Sequence, residues 1–387
     1  MTISADSHIV EPAEVFAGLA QRFGDDGPRL VERDGQPDRM FVPASGLIGL
    51  PPARVGVAGY RVDPDFAVDP DTATKPDPED PDDPRVRQRC AGGYAALRPG
   101  IADPAQRAAD QDLDGVAAEV LYPSLFFTVF GLERADVVAA AFRNYNDWLA
   151  DYCSVAPDRL VGAALIPLHD PDAGLAELER AIDAGFRTAA IPCRAPHDRP
   201  YGDAAYEPIW SCAEAARIPL AMHVGTAAWA PRSGRGRRRH PIAVYAGAAA
   251  TIQDTMAELI CGGVAHRHPR LTFVCSEFNT GWIANWLDRL DQGWGRDRRA
   301  ASADLDRPPS GYWATNFVAT FEDDRAGVLT RELFGTETLM WGNDYPHRDS
   351  TWPASRAVLD AVLAGVPDHE RAQLTHGTAA RLYRLGS

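Results

Sequence analysis

Lysine is all but missing from this chain. Of 39 basic residues only one is lysine, Lys75, in the stretch DTATKPDPEDPDD. A phosphate-cradling P-loop needs its own lysine, and no G-x-x-x-x-G-K-[ST] occurs. Schiff-base chemistry would have to use that amine in a Pro/Asp-rich loop, a poor place to desolvate it. No expected strand carries a lysine that could be carbamylated to bridge two metals. The six cysteines are scattered without a C-x-x-C pair, which excludes a cysteine cage for zinc; the length excludes a small disulfide scaffold. Reduced thiols in a cytoplasm are the expectation. No apolar run approaches the roughly 18 residues that cross a bilayer, so no membrane association is expected. The opening MTISADSHIVEP has no basic stretch followed by an apolar core, so no signal peptide is expected either. Positive charge is also short: 39 basic residues face 54 acidic ones, and the net charge of −15 repels phosphate backbones. General nucleic-acid binding is thereby excluded.

What is present is enough apolar matter for a large core. The chain has 387 residues, 45% of them hydrophobic and 24% charged. Short apolar runs bounded by polar, Gly or Pro residues predict strands at Ile3–Val10, Ala118–Ser124, Leu160–Leu168, Thr188–Arg194, Pro219–Gly225, Leu271–Phe278, Phe317–Glu322 and Thr338–Asp344. Amphipathic stretches between them predict helices, among them Ala135–Ala156, Asp172–Ala184, Glu207–Arg217 and Ala284–Leu290, with a closing helix over Asp368–Leu385. Eight β-then-α units predict an α/β fold, a (β/α)8 TIM barrel occupying residues 1–387 as a single domain. An open dinucleotide-binding sheet would want G-x-G-x-x-G after the first strand, where the chain reads SADSHIVEP. The first step, from Ile3 to Ala118, is more than twice as long as any later one. The excess is an insertion at about 13–105, and its Pro/Asp-rich part, Asp63–Asp83, reads as a surface excursion or as a lid over the active face.

The polar residues gather at the ends of the expected strands. Asp6 and His8 stand two apart, on one side of the first strand. The fifth strand ends in AMHVG with His223, the sixth in CSEF with Glu277, and the eighth in WGNDYPH with Asp344 and His347. Each has a bland reading taken alone: a loop-capping aspartate, a packed core histidine, a turn former. Together, two imidazoles and two or three carboxylates at one end of a barrel suit a borderline divalent ion, Zn²⁺ or Mn²⁺. Asp6, His8, His223 and Asp344 are the expected ligands.

ADSHIVEP, AMHVG and MWGNDYPHRDSTWP together resemble the amidohydrolase superfamily, in the branch that includes aminocarboxymuconate-semialdehyde decarboxylase and γ-resorcylate decarboxylase. Further echoes lie in RAADQDLDGVAAEVLYPS, NYNDWLADYC and TAARLYRL. The resemblance implies that His8 and His223 are metal ligands and that Asp344 both touches the metal and relays a proton. It implies a ligand at Asp6 too, where many relatives carry His or Glu. Relatives place a catalytic histidine after the sixth strand; here Ser276-Glu277 stands there, and Glu277 is a further ligand or a general acid/base in its place.

Two reactions fit this set. A divalent ion can activate water for hydrolysis of a C–N or C–C bond, or it can chelate a substrate carboxylate while a carboxyl group protonates the adjacent carbon and CO₂ leaves. The branch resemblance favours decarboxylation of a small aromatic or unsaturated carboxylic acid. Arg194, closing the fourth strand, is a candidate clamp for a substrate carboxylate. His347 is a candidate catalytic residue that orients Asp344 or substrate. The run Arg232–His240 reads as a solvated loop or an anion-attracting rim, whereas His266 and His268 precede the sixth strand and are not credible ligands. Trp341 and Trp352 are expected to pack. Exposed helix faces make a homodimer the expected assembly.

Overall fold

The computed structural model describes residues 1–33, 36–49, 52–58, 84–226, 241–297 and 305–386. The first strand, β1 (Thr2–His8), is followed by a small separate sheet of β2 (Arg29–Arg33), β3 (Gln36–Val42) and β4 (Leu47–Ile48). Then come β5 (Val116–Tyr122), β6 (Leu160–Leu165), β7 (Thr188–Ile191), β8 (Leu220–His223), β9 (Phe273–Ser276), β10 (Phe317–Phe321) and β11 (Leu339–Trp341). The large sheet runs β1-β5-β6-β7-β8-β9-β10-β11 with every pairing parallel. Parallel strands in chain order with helices between them are the topology of the (β/α)8 barrel. All eight expected strands are present, and each starts within two residues of its expected position.

The chain divides into two compact units, Met1–Gly162 with Gly342–Ala361, and Ala163–Trp341 with Val362–Ser387. In the first unit β1 pairs with β5 and β5 with the start of β6, in the register Glu119↔Leu160, Val120↔Val161 and Leu121↔Gly162. The helix Ala135–Ser154 buries a stripe of Val138, Ala141, Phe142, Tyr145, Leu149 and Tyr152, spaced three and four apart. Gly162 lets that helix approach, since a Cβ there would stand 2.8 Å from the Leu149 side chain. The helix Pro104–Asp114 is capped by Asp103, whose Oδ1 accepts from Ala105 N at 2.8 Å, and has Pro at its first turn. It turns polar side chains inward: Arg107, Asp110, Gln111 and Asp114 are all buried. From the insertion, Met40, Val42, Val57 and Ile101 are buried as well, so this part has a core face. Its stretch Asp63–Asp83 lies outside the described residues, as does Arg232–His240.

In the second unit the ladder continues from the end of β6 to β11. Its core is aromatic: Phe273 lies between Trp210, at 5.8 Å between ring centroids, and Phe317, at 5.6 Å. Trp313 stacks on Phe317 at 5.8 Å. Trp341 is buried here, and Trp352 is buried in the first unit, both as expected. The expected closing helix is three pieces in succession, Asp368–Ala372, a π-turn at Gln373–Gly377, and Thr378–Tyr383. His268 sits ahead of β9 and pairs with Glu207 at 2.6 Å, a structural use that agrees with its exclusion as a ligand. No helix among the described residues is long and apolar enough to cross a membrane.

Candidate metal centre

Asp6 and His8 lie on the same side of β1, and both are buried. The segment just after β11, which belongs to the same unit, lies along them. Asp344 N donates to Asp6 O at 2.9 Å, and His8 N donates to Tyr345 O at 2.6 Å. Gly342 permits this approach: a Cβ there would be 2.4 Å from Asp6 Cβ. Asn343 anchors the segment by accepting from the Ser7 hydroxyl at 2.8 Å and donating to Asp114 at 3.2 Å. Burial pushes the Asp114 carboxyl up to about 6, although hydrogen bonds from Ser355 and Asn343 oppose it. Asp344 adopts φ +52°, a left-handed conformation that a non-glycine residue holds only when its surroundings over-determine it.

The side chains converge. His8 Nε2 is 3.2 Å from Asp344 Oδ1 and 3.7 Å from Asp6 Oδ1. His347 Nδ1 is 2.9 Å from the same Asp344 oxygen, and its ring stacks on His8 with centroids 3.8 Å apart. His8, Asp344 and His347 each offer a ligand atom, all within 4.8 Å of one another. His8 Nδ1 lies 2.9 Å from Pro123 O, a carbonyl that can only accept, so Nδ1 carries a proton and Nε2 is the ring atom turned toward the two carboxylates. Nε2 and the two carboxylate oxygens form a buried nitrogen/oxygen donor set of the kind that fits a divalent metal.

His347 is held on its other side by Ser124, with Oγ 2.9 Å from Nε2. Ser–His–Asp contacts of this kind suggest a nucleophilic serine. Ser124, however, also donates to Ile9 O at 2.6 Å, so its oxygen accepts from His347 instead of yielding a proton to it. Burial disfavours a charged His347, yet Asp344, with Asp6 and Glu11 behind it, outweighs burial and raises its pKa. Burial also opposes ionisation of Asp344, and the two imidazoles, His347 foremost, outweigh it and hold that carboxyl well below the usual range.

In the second unit His223 ends β8 and is fully buried. Its backbone carbonyl accepts from Thr226 Oγ1 at 2.6 Å and from the Cys193 thiol at 2.9 Å. Its Nδ1 is 2.9 Å from Val224 O, again a pure acceptor, so Nδ1 carries a proton here too. Glu277 follows β9 with φ +63° and donates its N–H to Thr320 Oγ1 at 2.9 Å; its Oε2 is 3.4 Å from His223 Nδ1. Arg194 stands three residues beyond the end of β7 and is exposed.

Asp6, His8, Asp344 and His347 are thus brought together in one unit, and His223 and Glu277 in the other. Three contributors escaped the sequence reading: Glu11, Ser124 and Asn343. Glu11 stands in the same ADSHIVEP motif that yields Asp6 and His8, and its place there was the one available signal.

The amidohydrolase family matches residues 95–385, which takes in β5 to β11 and the Asp344–His347 segment. The chain belongs to this amidohydrolase family. A curated relative, the γ-resorcylate decarboxylase of Rhodococcus jostii (strain RHA1), is 28% identical over 282 residues, or 65% of this chain and 78% of that protein. An amidohydrolase of Mycobacterium avium subsp. paratuberculosis K-10 has a TM-score of 0.76 at 19% identity, over 99% of this chain and 98% of that one. A dihydroxybenzoic acid decarboxylase of Polaromonas sp. JS666, solved with manganese and the inhibitor 2-nitroresorcinol, has a TM-score of 0.64 at 16% identity, over 100% and 97%. The likeness to these two structures is one of fold, and it supports the (β/α)8 barrel expected from the strand ladder.

Proposed function

We propose that this amidohydrolase is a divalent-metal-dependent decarboxylase of a small aromatic or unsaturated carboxylic acid. Asp6, His8, His223 and Asp344 hold the ion in this reading, Mn²⁺ first and Zn²⁺ as the alternative. The observation that carries it is the orientation of the two imidazoles: Nδ1 of His8 and of His223 each lies 2.9 Å from a backbone carbonyl, which leaves Nε2 as the atom available to a metal. The manganese bound in the Polaromonas dihydroxybenzoic acid decarboxylase, and the γ-resorcylate decarboxylase activity named for the Rhodococcus relative, support the choice of metal and substrate class.

When bound, the ion supplies positive charge to a substrate carboxylate and its neighbouring oxygen. The protein's own part is proton delivery and orientation. A proton held by the Asp344–His347 pair, or by Glu277, passes to the ring carbon that bears the carboxylate. The C–C bonding pair then returns to the ring as CO₂ departs, and solvent restores the proton, so one proton is consumed per CO₂ released. Arg194 is the proposed clamp for the substrate's carboxylate, a geometry that suits a guanidinium. His347 holds Asp344 at 2.9 Å in the orientation needed to give and recover a proton. The proposed assembly is a homodimer; Leu329 and Leu333, exposed and four residues apart, are apolar side chains that pairing could cover.

The direct test is CO₂ release from a panel of hydroxybenzoates by the Mn²⁺-loaded protein; silence across the panel sinks the reading. A second reading, hydrolysis of a C–N or C–C bond, is favoured by Glu277 standing where the resemblance leads one to expect histidine. Incorporation of ¹⁸O from water into product separates the two, because decarboxylation leaves no water oxygen in the organic product. Substitution His347→Gln is expected to lower kcat by about 10- to 100-fold with metal content intact. Steady-state kinetics beside elemental analysis checks this, and an unchanged kcat would remove His347 from the catalytic set.

A further inference from the structure

Glu11 is wholly buried three residues beyond His8, and its side chain does one thing. Oε1 accepts from Ser124 N at 3.1 Å and from Phe126 N at 2.9 Å, and Oε2 accepts from Leu125 N at 2.9 Å. Three consecutive backbone N–H groups are thereby tied to one carboxylate. The turn so gathered is the one that carries Pro123 O, the acceptor for His8 Nδ1, and Ser124 Oγ, the partner of His347 Nε2. The backbone beside Glu11 is fixed in turn, since Tyr94 OH donates to Glu11 O at 2.7 Å and Ser124 Oγ donates to Ile9 O at 2.6 Å.

We propose that Glu11 is a positioning residue for both imidazoles, acting through residues 123–126 to fix which ring nitrogen of His8 and of His347 faces Asp344. Its acceptors match the turn's donors in number and in direction. Hydrogen bonds from backbone N–H to a carboxylate are of the stronger, charge-assisted kind when the group is ionised, and they persist at two of three donors when it is not. A glutamine could satisfy the two donors on one oxygen only by aiming its NH₂ at the third N–H. Glu11→Gln therefore loosens the turn without removing any group that touches the metal or substrate. This inference rests on the metal reading for its affinity arm alone.

The experiment follows the histidine ring nitrogens by ¹⁵N NMR in the full-length protein, metal-free and treated with diamagnetic Zn²⁺, for wild type, Glu11→Gln, Glu11→Asp and Ser124→Ala. Glu11→Gln is expected to abolish the slowly exchanging His8 Nδ1–H signal and to shift His347 Nε2. Ser124→Ala should shift His347 alone, since it leaves Glu11's bonds to the turn in place. In the wild-type background metal binds, and Glu11→Gln weakens it by about tenfold or more. Should Glu11→Gln fail to fold, Glu11→Asp, which keeps the charge but shortens the reach, is expected to shift both rings partway. Ring signals that stay put in the folded Glu11 variants, with only the melting temperature lowered, would overturn the proposal. Wild-type protein that binds no divalent ion would overturn the metal reading instead, and the metal-free ring signals would still decide the role of Glu11.

Discussion

Asp344→Asn is expected to cost at least about a thousandfold in turnover and to strip the purified protein of its metal. A positioned acid or base contributes roughly 10²–10⁴-fold on its own, and here the same carboxylate is also the proposed anionic ligand nearest His8, at 3.2 Å. Asparagine preserves the shape and can keep an oxygen toward His347, but it carries no charge for a cation and no proton to deliver. Elemental analysis beside kcat reads both losses; full metal with kcat within tenfold of wild type would end the assignment. The substitution also has a pH signature in metal-free protein. The folded His347 pKa is raised above its ordinary value of about 6.5, by Asp344 against the opposing effect of burial. The pair's contribution to stability is therefore fully present below about pH 6.5 and is lost as pH rises through the folded value. The Asp344 carboxyl is held low, so its own contribution is present above about pH 3.8 and falls away only in acid. Wild type should lose stability from neutral toward alkaline pH, and Asp344→Asn should flatten that slope in a denaturation series.

The strand ladder was legible because a parallel strand covered on both sides reads as a near-continuous apolar run, as LVGAAL does in β6. Where each strand stops was not. The expected Leu160–Leu168, Thr188–Arg194 and Thr338–Asp344 end at Leu165, Ile191 and Trp341. Burial outlasts the hydrogen-bonded ladder: Ile166, Leu168 and Cys193 are as buried as the strands before them. Hydrophobicity reports burial and cannot tell where pairing ends. The same division runs through the site. Asp6 and His8 follow from a period of two, and His347 follows from its place three residues after Asp344. Glu11, Ser124 and Asn343 act across chain separations that no local pattern encodes; Glu11 and Leu125 are 114 residues apart. A glutamate before a proline reads as a surface acid, and only the fold shows it fully buried.

Glu119→Ala is expected to remove about 3–5 kcal/mol of stability, the range for stranding one member of a buried ion pair. Glu119 and Arg107 are both buried, and Arg107 Nε donates to Glu119 Oε2 at 2.6 Å. Burial would lower the Arg107 pKa, and Glu119, the nearest opposing charge, more than reverses that. The same Glu119 oxygen also accepts from Gln111 Nε2 at 2.9 Å. Without the carboxylate, the guanidinium keeps, among the described residues, His8 O at 2.8 Å and the Tyr345 ring, 4.3 Å from its centre. Neither neutralises a charge held away from water, and the loss is a large fraction of the 5–15 kcal/mol typical of a whole domain. Denaturant unfolding of Glu119→Ala measures it, and a cost under about 1 kcal/mol, the range of an exposed pair, would mean that water reaches these charges. The double substitution Arg107→Met with Glu119→Leu should cost less than Glu119→Ala alone, because no charge is left to strand. Metal affinity discriminates further: Arg107 holds the carbonyl of His8 itself, so the double variant, although the more stable of the two, should still bind Mn²⁺ more weakly than wild type.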